Sequence, residues 1–295
     1  MVIEQTPIQE IKTNLTQEKG VSLYIKREDL NHPHISGNKL RKLFYNLKAA
    51  KEQGVKKLLT FGGAFSNHIY ATAAAGQLYG FDTVGIIRGE EHLPLNPTLT
   101  FAKSCEMKLH YMDRTRYRLK NSLIVLNELK KRHGDFYLIP EGGTNDLAIK
   151  GCAEILGTKE RSYDYYVLSV GTGGTLAGII QSLKGAGKII GMSALKGDFL
   201  EVEINSLFRQ FNFPEYENWK VLQNYHFGGY AKTSAELFQF INKFEEDHQL
   251  LLDPVYTGKA LYGIMDMIGR NEFEKGSHVL FIHTGGIQGR AGFDL

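Results

Sequence analysis

Lys39 follows a Ser36-Gly37-Asn38 turn and precedes apolar residues at helical spacing, Leu40, Leu43, Phe44 and Leu47. A lysine at such a junction can point its amine into a crevice. An amine held out of water loses its proton more readily and becomes a nucleophile. Taken alone, the stretch equally describes a lysine snorkelling from a helix start. A second stretch, Leu168 to Gly178, runs from an apolar strand through Gly171-Thr172-Gly173-Gly174-Thr175 into a helix. Glycines let successive N–H groups converge, the helix start adds positive partial charge, and two threonine hydroxyls add donors. We read this loop as a phosphate cradle. Leu176 stands where a dinucleotide fingerprint needs glycine, and the next strand ends without an acidic residue for a ribose. The loop has no lysine, so a small phosphorylated cofactor fits better than NAD or ATP.

A third stretch, Gly62-Gly63-Ala64-Phe65-Ser66-Asn67-His68, also lies between a strand and a helix. Its N–H groups and the Ser66 hydroxyl can hold a carboxylate, although a plain N-cap serine has the same appearance. Gly-x-Ser-x-Gly is absent, and neighbouring helical residues point apart, so neither a hydrolase elbow nor a Ser66–His68 dyad is expected. Asp253-Pro254-Val255-Tyr256-Thr257-Gly258-Lys259 presents Tyr256 just before a helix. His283-Thr284-Gly285-Gly286 ends a strand, which puts Thr284 where α/β sheets bind ligands.

The elements that must position these residues alternate. Strands are expected at 23–26, 58–61, 83–87, 109–112, 136–139, 165–170, 188–193 and 278–282. Helices are expected at 39–53, 67–79, 96–104, 117–133, 146–156, 176–183, 234–244 and 260–268. Residues 1–22 show little periodicity and are expected to drape over a lobe. Strand–helix repetition argues for parallel sheets covered on both faces, and there are too many units for one ordinary sheet. The expected fold is α/β and two-lobed, each lobe a mostly parallel sheet flanked by helices. The 295 residues suffice for that, and a formal charge of +3 offers no basis for a nucleic-acid groove. The two cysteines have no metal spacing. No apolar stretch approaches a membrane span, and no leader pattern opens the chain, so a cytoplasmic setting is expected.

Taken in order, these motifs resemble the pyridoxal-phosphate (PLP) enzymes of fold type II (tryptophan synthase β-like), in particular the D-cysteine desulfhydrase / 1-aminocyclopropane-1-carboxylate deaminase group. The resemblance implies a large PLP-binding domain from residues 1–40 and 148–295, a small domain from 41–147, and a homodimer. It implies Lys39 as the Schiff-base lysine, Asn67 at the cofactor's phenolic oxygen and Gly171, Thr172, Gly173, Gly174 and Thr175 at its phosphate. Thr284 is implied at the ring nitrogen. Ser66, with the Asn67 and His68 amides, is implied at the substrate carboxylate, and Tyr256 and Tyr230 as active-site tyrosines. Thr257 stands where ring-opening deaminases carry glutamate, which favours α,β-elimination of a small D-amino acid over ring opening. Phe65 replaces the usual glutamine and is expected to reshape the pocket, and 185–200 looks shortened. A non-catalytic phosphate- or nucleotide-binding protein needs the loop but not Lys39, Ser66 and Tyr256 together.

Overall fold

Among the described residues there are ten strands: β1 Ile8–Ile11, β2 Ser22–Lys26, β3 Lys57–Gly62, β4 Asp82–Arg88, β5 Lys108–Met112, β6 Tyr137–Ile139, β7 Tyr165–Val170, β8 Lys188–Ser193, β9 Trp219–Leu222 and β10 His278–Ile282. The computed structural model describes residues 3–293. The strands separate into a six-stranded sheet, ordered β1-β2-β10-β7-β8-β9, and a four-stranded sheet, ordered β5-β4-β3-β6. All pairings are parallel except β1 with β2. The interior strands are buried along nearly their whole length, as parallel strands covered on both faces must be. β10 lies between β2 and β7, which brings the ends of β7 and β10, and hence Gly171 and Thr284, side by side.

Four elements lie outside the expected set. β1 and the helix Asn14–Lys19 replace the featureless N-terminal drape. β1 is four residues long and pairs only along an edge, so it carries little apolar signal. The helix Leu200–Gln210 buries Leu200, Ile204 and Phe208, an i, i+4, i+8 stripe that was legible in the sequence. β9 is a four-residue edge strand. The long helix expected at 117–133 is two helices, Arg114–Arg118 and Leu123–His133. Ser122 starts the second by accepting the Val125 N–H.

Two glycines set the spacing of three helices behind the site. A methyl group added at Gly151 would lie 2.0 Å from Arg41 O, and one at Gly178 would lie 2.5 Å from Cys152 Cβ. The helices Asn38–Glu52, Asp146–Ala153 and Gly174–Leu183 therefore approach closely, and the Lys39 helix is held beside the glycine-rich loop.

Candidate active site

The turn before Lys39 is clamped to the end of β10. Asn31 imitates a backbone partner: its Oδ1 accepts the Gly37 N–H at 2.9 Å and its Nδ2 donates to Gly37 O at 2.9 Å. The Asn38 N–H donates to Thr284 O at 3.1 Å. Gly37 has φ +70°, and a Cβ there would lie 2.0 Å from Thr284 O, so no other residue lets the chain pass. Further along the helix, Arg41 forms a two-pronged ion pair with Glu28, at 2.8 and 2.9 Å, with both side chains buried. Glu28 also accepts from Thr6 and Asn31.

One cavity collects most of the residues singled out above. Lys39, Ser66, Asn67, His68, Gly171, Thr172, Gly173, Thr175, Tyr230, Tyr256 and Thr284 all line it. Gly174 does not. It is buried at the helix start, where a Cβ would lie 2.8 Å from Thr144 Oγ1. Sequence reading missed Lys42 and Asn38. Lys42 is one helical turn from Lys39, and that i, i+3 spacing was the available signal. The Lys42 amine donates to Gly142 O at 2.9 Å and Thr144 Oγ1 at 3.1 Å, with Thr172 Oγ1 at 3.5 Å. Asn38 Nδ2 donates to Thr175 Oγ1 at 2.8 Å.

Burial, followed by the Lys42 ammonium, pushes the Lys39 amine down to about 7, while Cys152 and Asp253 act the other way. Its Nζ donates to Asn38 Oδ1 at 3.1 Å. Burial likewise lowers Lys42. These shifts bear on stability through proton linkage. Over the interval from about 7 to the ordinary lysine value the unfolded chain binds a proton at Lys39 that the folded chain does not, so stability rises with pH. For cofactor-free protein, the urea midpoint is expected to climb between about pH 7 and about pH 9, and Lys39→Met to flatten the climb. A slope unchanged in that variant would show that the Lys39 amine is not depressed.

Ser66 caps the helix Asn67–Tyr79, its Oγ accepting the N–H groups of His68 at 3.2 Å and Ile69 at 3.3 Å. The hydroxyl proton is left to donate into the cavity. The His68 amide, expected at a carboxylate, is thus directed to Ser66. Its ring lies inside the protein with Nε2 2.8 Å from Thr60 Oγ1, and burial, then Lys39 and Lys42, keep it neutral. Phe65 is absent from the cavity wall and packs toward Gly292, so it does not reshape the pocket directly. The expected shortened stretch 185–200 holds β8 and a connection of residues 194–199, after which Ile204 packs beneath Gly173.

Asp253 builds the turn that presents Tyr256. Its carboxylate accepts the N–H groups of Val255, Tyr256 and Thr257 and the Thr257 hydroxyl, at 2.6–2.9 Å. Thr257 is therefore turned toward Asp253 and away from the cavity. The rings of Tyr256 and Tyr230 meet edge to face, centroids 6.1 Å apart. Burial first, then Tyr230 and Asp253, hold the Tyr256 hydroxyl well above its usual range, so it keeps its proton. Thr284 Oγ1 lies 3.0 Å from Ser169 Oγ.

This donor set suits a ligand with a phosphate at one end and a carbonyl at the other. No Asp or Glu lines the cavity among the described residues. The glycine-rich loop, the start of the helix Gly174–Leu183 and the Lys42 amine converge at one end, and the Lys39 amine is held ready at neutral pH. The family model for pyridoxal-phosphate dependent enzymes matches residues 1–285. The chain belongs to the pyridoxal-phosphate dependent enzymes. As a member of that family it uses pyridoxal phosphate, which the cavity fits. A putative 1-aminocyclopropane-1-carboxylate deaminase of Pyrococcus horikoshii is 34% identical, over 97% of this chain and 90% of the relative. The mitochondrial bifunctional D-cysteine desulfhydrase/1-aminocyclopropane-1-carboxylate deaminase of Arabidopsis thaliana is 31% identical, over 92% and 73%. A crystal structure of an ACC deaminase homologue superposes with a TM-score of 0.83 at 32% identity, over 97% of this chain and 91% of the other. The expected two-sheet α/β architecture is that of these pyridoxal-phosphate enzymes.

Proposed function

We propose that the protein catalyses α,β-elimination and deamination of a small amino acid, converting D-cysteine and water to pyruvate, sulfide and ammonia. The observation that carries this reading is the placement of the Lys39 amine, which burial pushes down to about 7, in one cavity with the Ser66–Asn67 turn and the Tyr256–Tyr230 pair. Bound there, pyridoxal phosphate supplies an electron sink for charge left on the substrate's α-carbon. Lys39 holds it, the Gly171–Thr175 loop with Lys42 takes its phosphate, Asn67 its phenolic oxygen and Thr284 its ring nitrogen. The Ser66 hydroxyl and the Asn67 N–H grip the substrate carboxylate. Lys39 Nζ takes the α-proton. Tyr256, protonated across the working pH range, gives a proton to the departing sulfur, with Tyr230 beside it.

Ring opening of 1-aminocyclopropane-1-carboxylate to 2-oxobutyrate and ammonia is the second reading, favoured by the names of the Pyrococcus and Arabidopsis relatives. The cavity wall, free of carboxylates among the described residues, supports elimination. Parallel assays decide. We expect sulfide and pyruvate from D-cysteine and little 2-oxobutyrate from the cyclopropane; the reverse pattern would overturn the reading. We also propose that residues 1–40 and 148–295 form the cofactor domain and 41–147 the small one. The partition of β1, β2 and β7–β10 from β3–β6 between two sheets supports this. The proposal extends to a cytoplasmic homodimer.

A further inference from the structure

Tyr230 rides on a loop of unusual backbone. Phe227, Gly228, Gly229 and Ala231 all have positive φ, at 52°, 92°, 121° and 54°. Two of these are not glycine, so the loop opposes its own conformational preference and something outside it must hold it in place. Its internal bonds are few: the Gly229 N–H donates to His226 O at 3.0 Å, Lys232 N–H to Gly229 O at 3.2 Å, and Gly228 N–H to His226 Nδ1 at 2.9 Å. Tyr230 itself is 37% exposed.

The holding group comes from the helix Thr257–Gly269. Lys259 is 1% exposed, and its Nζ donates to His226 O at 2.8 Å and to Gly229 O at 2.9 Å. These two carbonyls belong to the residues that close the turn before Tyr230. A buried ammonium is costly unless its hydrogen bonds accomplish something, and this one has no carboxylate in direct contact among the described residues. Lys259 is also three residues beyond Tyr256, the N-cap of the same helix. One element therefore carries one tyrosine at its tip and, a turn later, the amine that ties down the loop bearing the other.

We propose that Lys259 is a positioning residue that seats the Tyr230 loop against Tyr256 and so sets the geometry of the tyrosine pair. The proposal rests on the reading that Tyr230 acts in this cavity. It accounts for a full-length lysine where the Asp253 turn alone would suffice to place Tyr256.

A double-variant cycle in the holoenzyme tests it, with Tyr230→Phe, Lys259→Gln and the combination assayed on D-cysteine. Misplacing Tyr230 is expected to lower kcat about 10- to 100-fold in Lys259→Gln, with cofactor absorbance retained. The combined variant is expected to match Tyr230→Phe alone within about twofold, because the loop has nothing left to position. Tryptic cleavage after the exposed Lys232 is expected to accelerate in Lys259→Gln and not in Tyr230→Phe. Losses that multiply, or an unchanged cleavage rate, overturn the proposal. A wild-type kcat in Tyr230→Phe instead overturns the reading beneath it, and the cleavage rates still report on the tether. If Lys259→Gln does not fold, Lys259→Arg displaces the same two carbonyls by its longer fork and is expected to show the same non-multiplying loss.

Discussion

Replacing Lys39 with alanine is expected to abolish turnover, by about 10³-fold or more, within the range for removing a proton-transferring group. The protein should still fold, because Lys39 makes one side-chain hydrogen bond, to Asn38 Oδ1, and the clamps on its turn come from Asn31, Gly37 and Thr284. Lys42 cannot take its place. Its amine is already committed to Gly142 O and Thr144 Oγ1, facing the glycine-rich loop. Steady-state rates at enzyme concentrations high enough to see a residual 10⁻³ or so of activity check this expectation. A variant within about tenfold of wild type would mean that another group moves the α-proton.

The second large effect lies outside the cavity. Glu28→Ala is expected to destabilise the protein by about 3–5 kcal/mol, because it strands the buried Arg41 guanidinium. The damage should reach the site, since Glu28 also braces Asn31, which holds Gly37. Cofactor affinity is therefore expected to fall along with the urea midpoint. Glu28→Met combined with Arg41→Leu should cost less than Glu28→Ala alone, because no charge is then left unpaired. Equal losses in both would show that packing, and not the stranded charge, dominates.

Much of this was legible in the sequence, for identifiable reasons. The strand–glycine–helix junctions at Gly62 and Gly171 announce themselves by their clustered glycines, and Ser66 to His68 of the first and Gly171 of the second line the cavity. The spacing of Leu40, Leu43 and Leu47 foretold a helix, and all three are buried. What sequence could not supply is direction. The resemblance puts Thr257 and Phe65 at the pocket, yet one turns to Asp253 and the other to Gly292. Ser66 admitted two readings, cap and ligand holder, and the geometry allows both at once: its oxygen accepts two helix N–H groups while its proton stays free. Lys42 and Lys259 looked like ordinary surface lysines. Their burial depends on carbonyls one hundred residues away for Lys42 and roughly thirty for Lys259, a fact that no local window contains.

We propose that the Lys39 amine, and no other, holds the cofactor covalently. Borohydride reduction of the holoenzyme followed by peptide fragmentation tests it directly, since Lys39 and Lys42 are distinguishable within one peptide. The protein is expected to be yellow, bleached by the reductant, with the pyridoxyl mass on Lys39. The same mass on Lys42 or Lys259, or no label on any lysine, would contradict it.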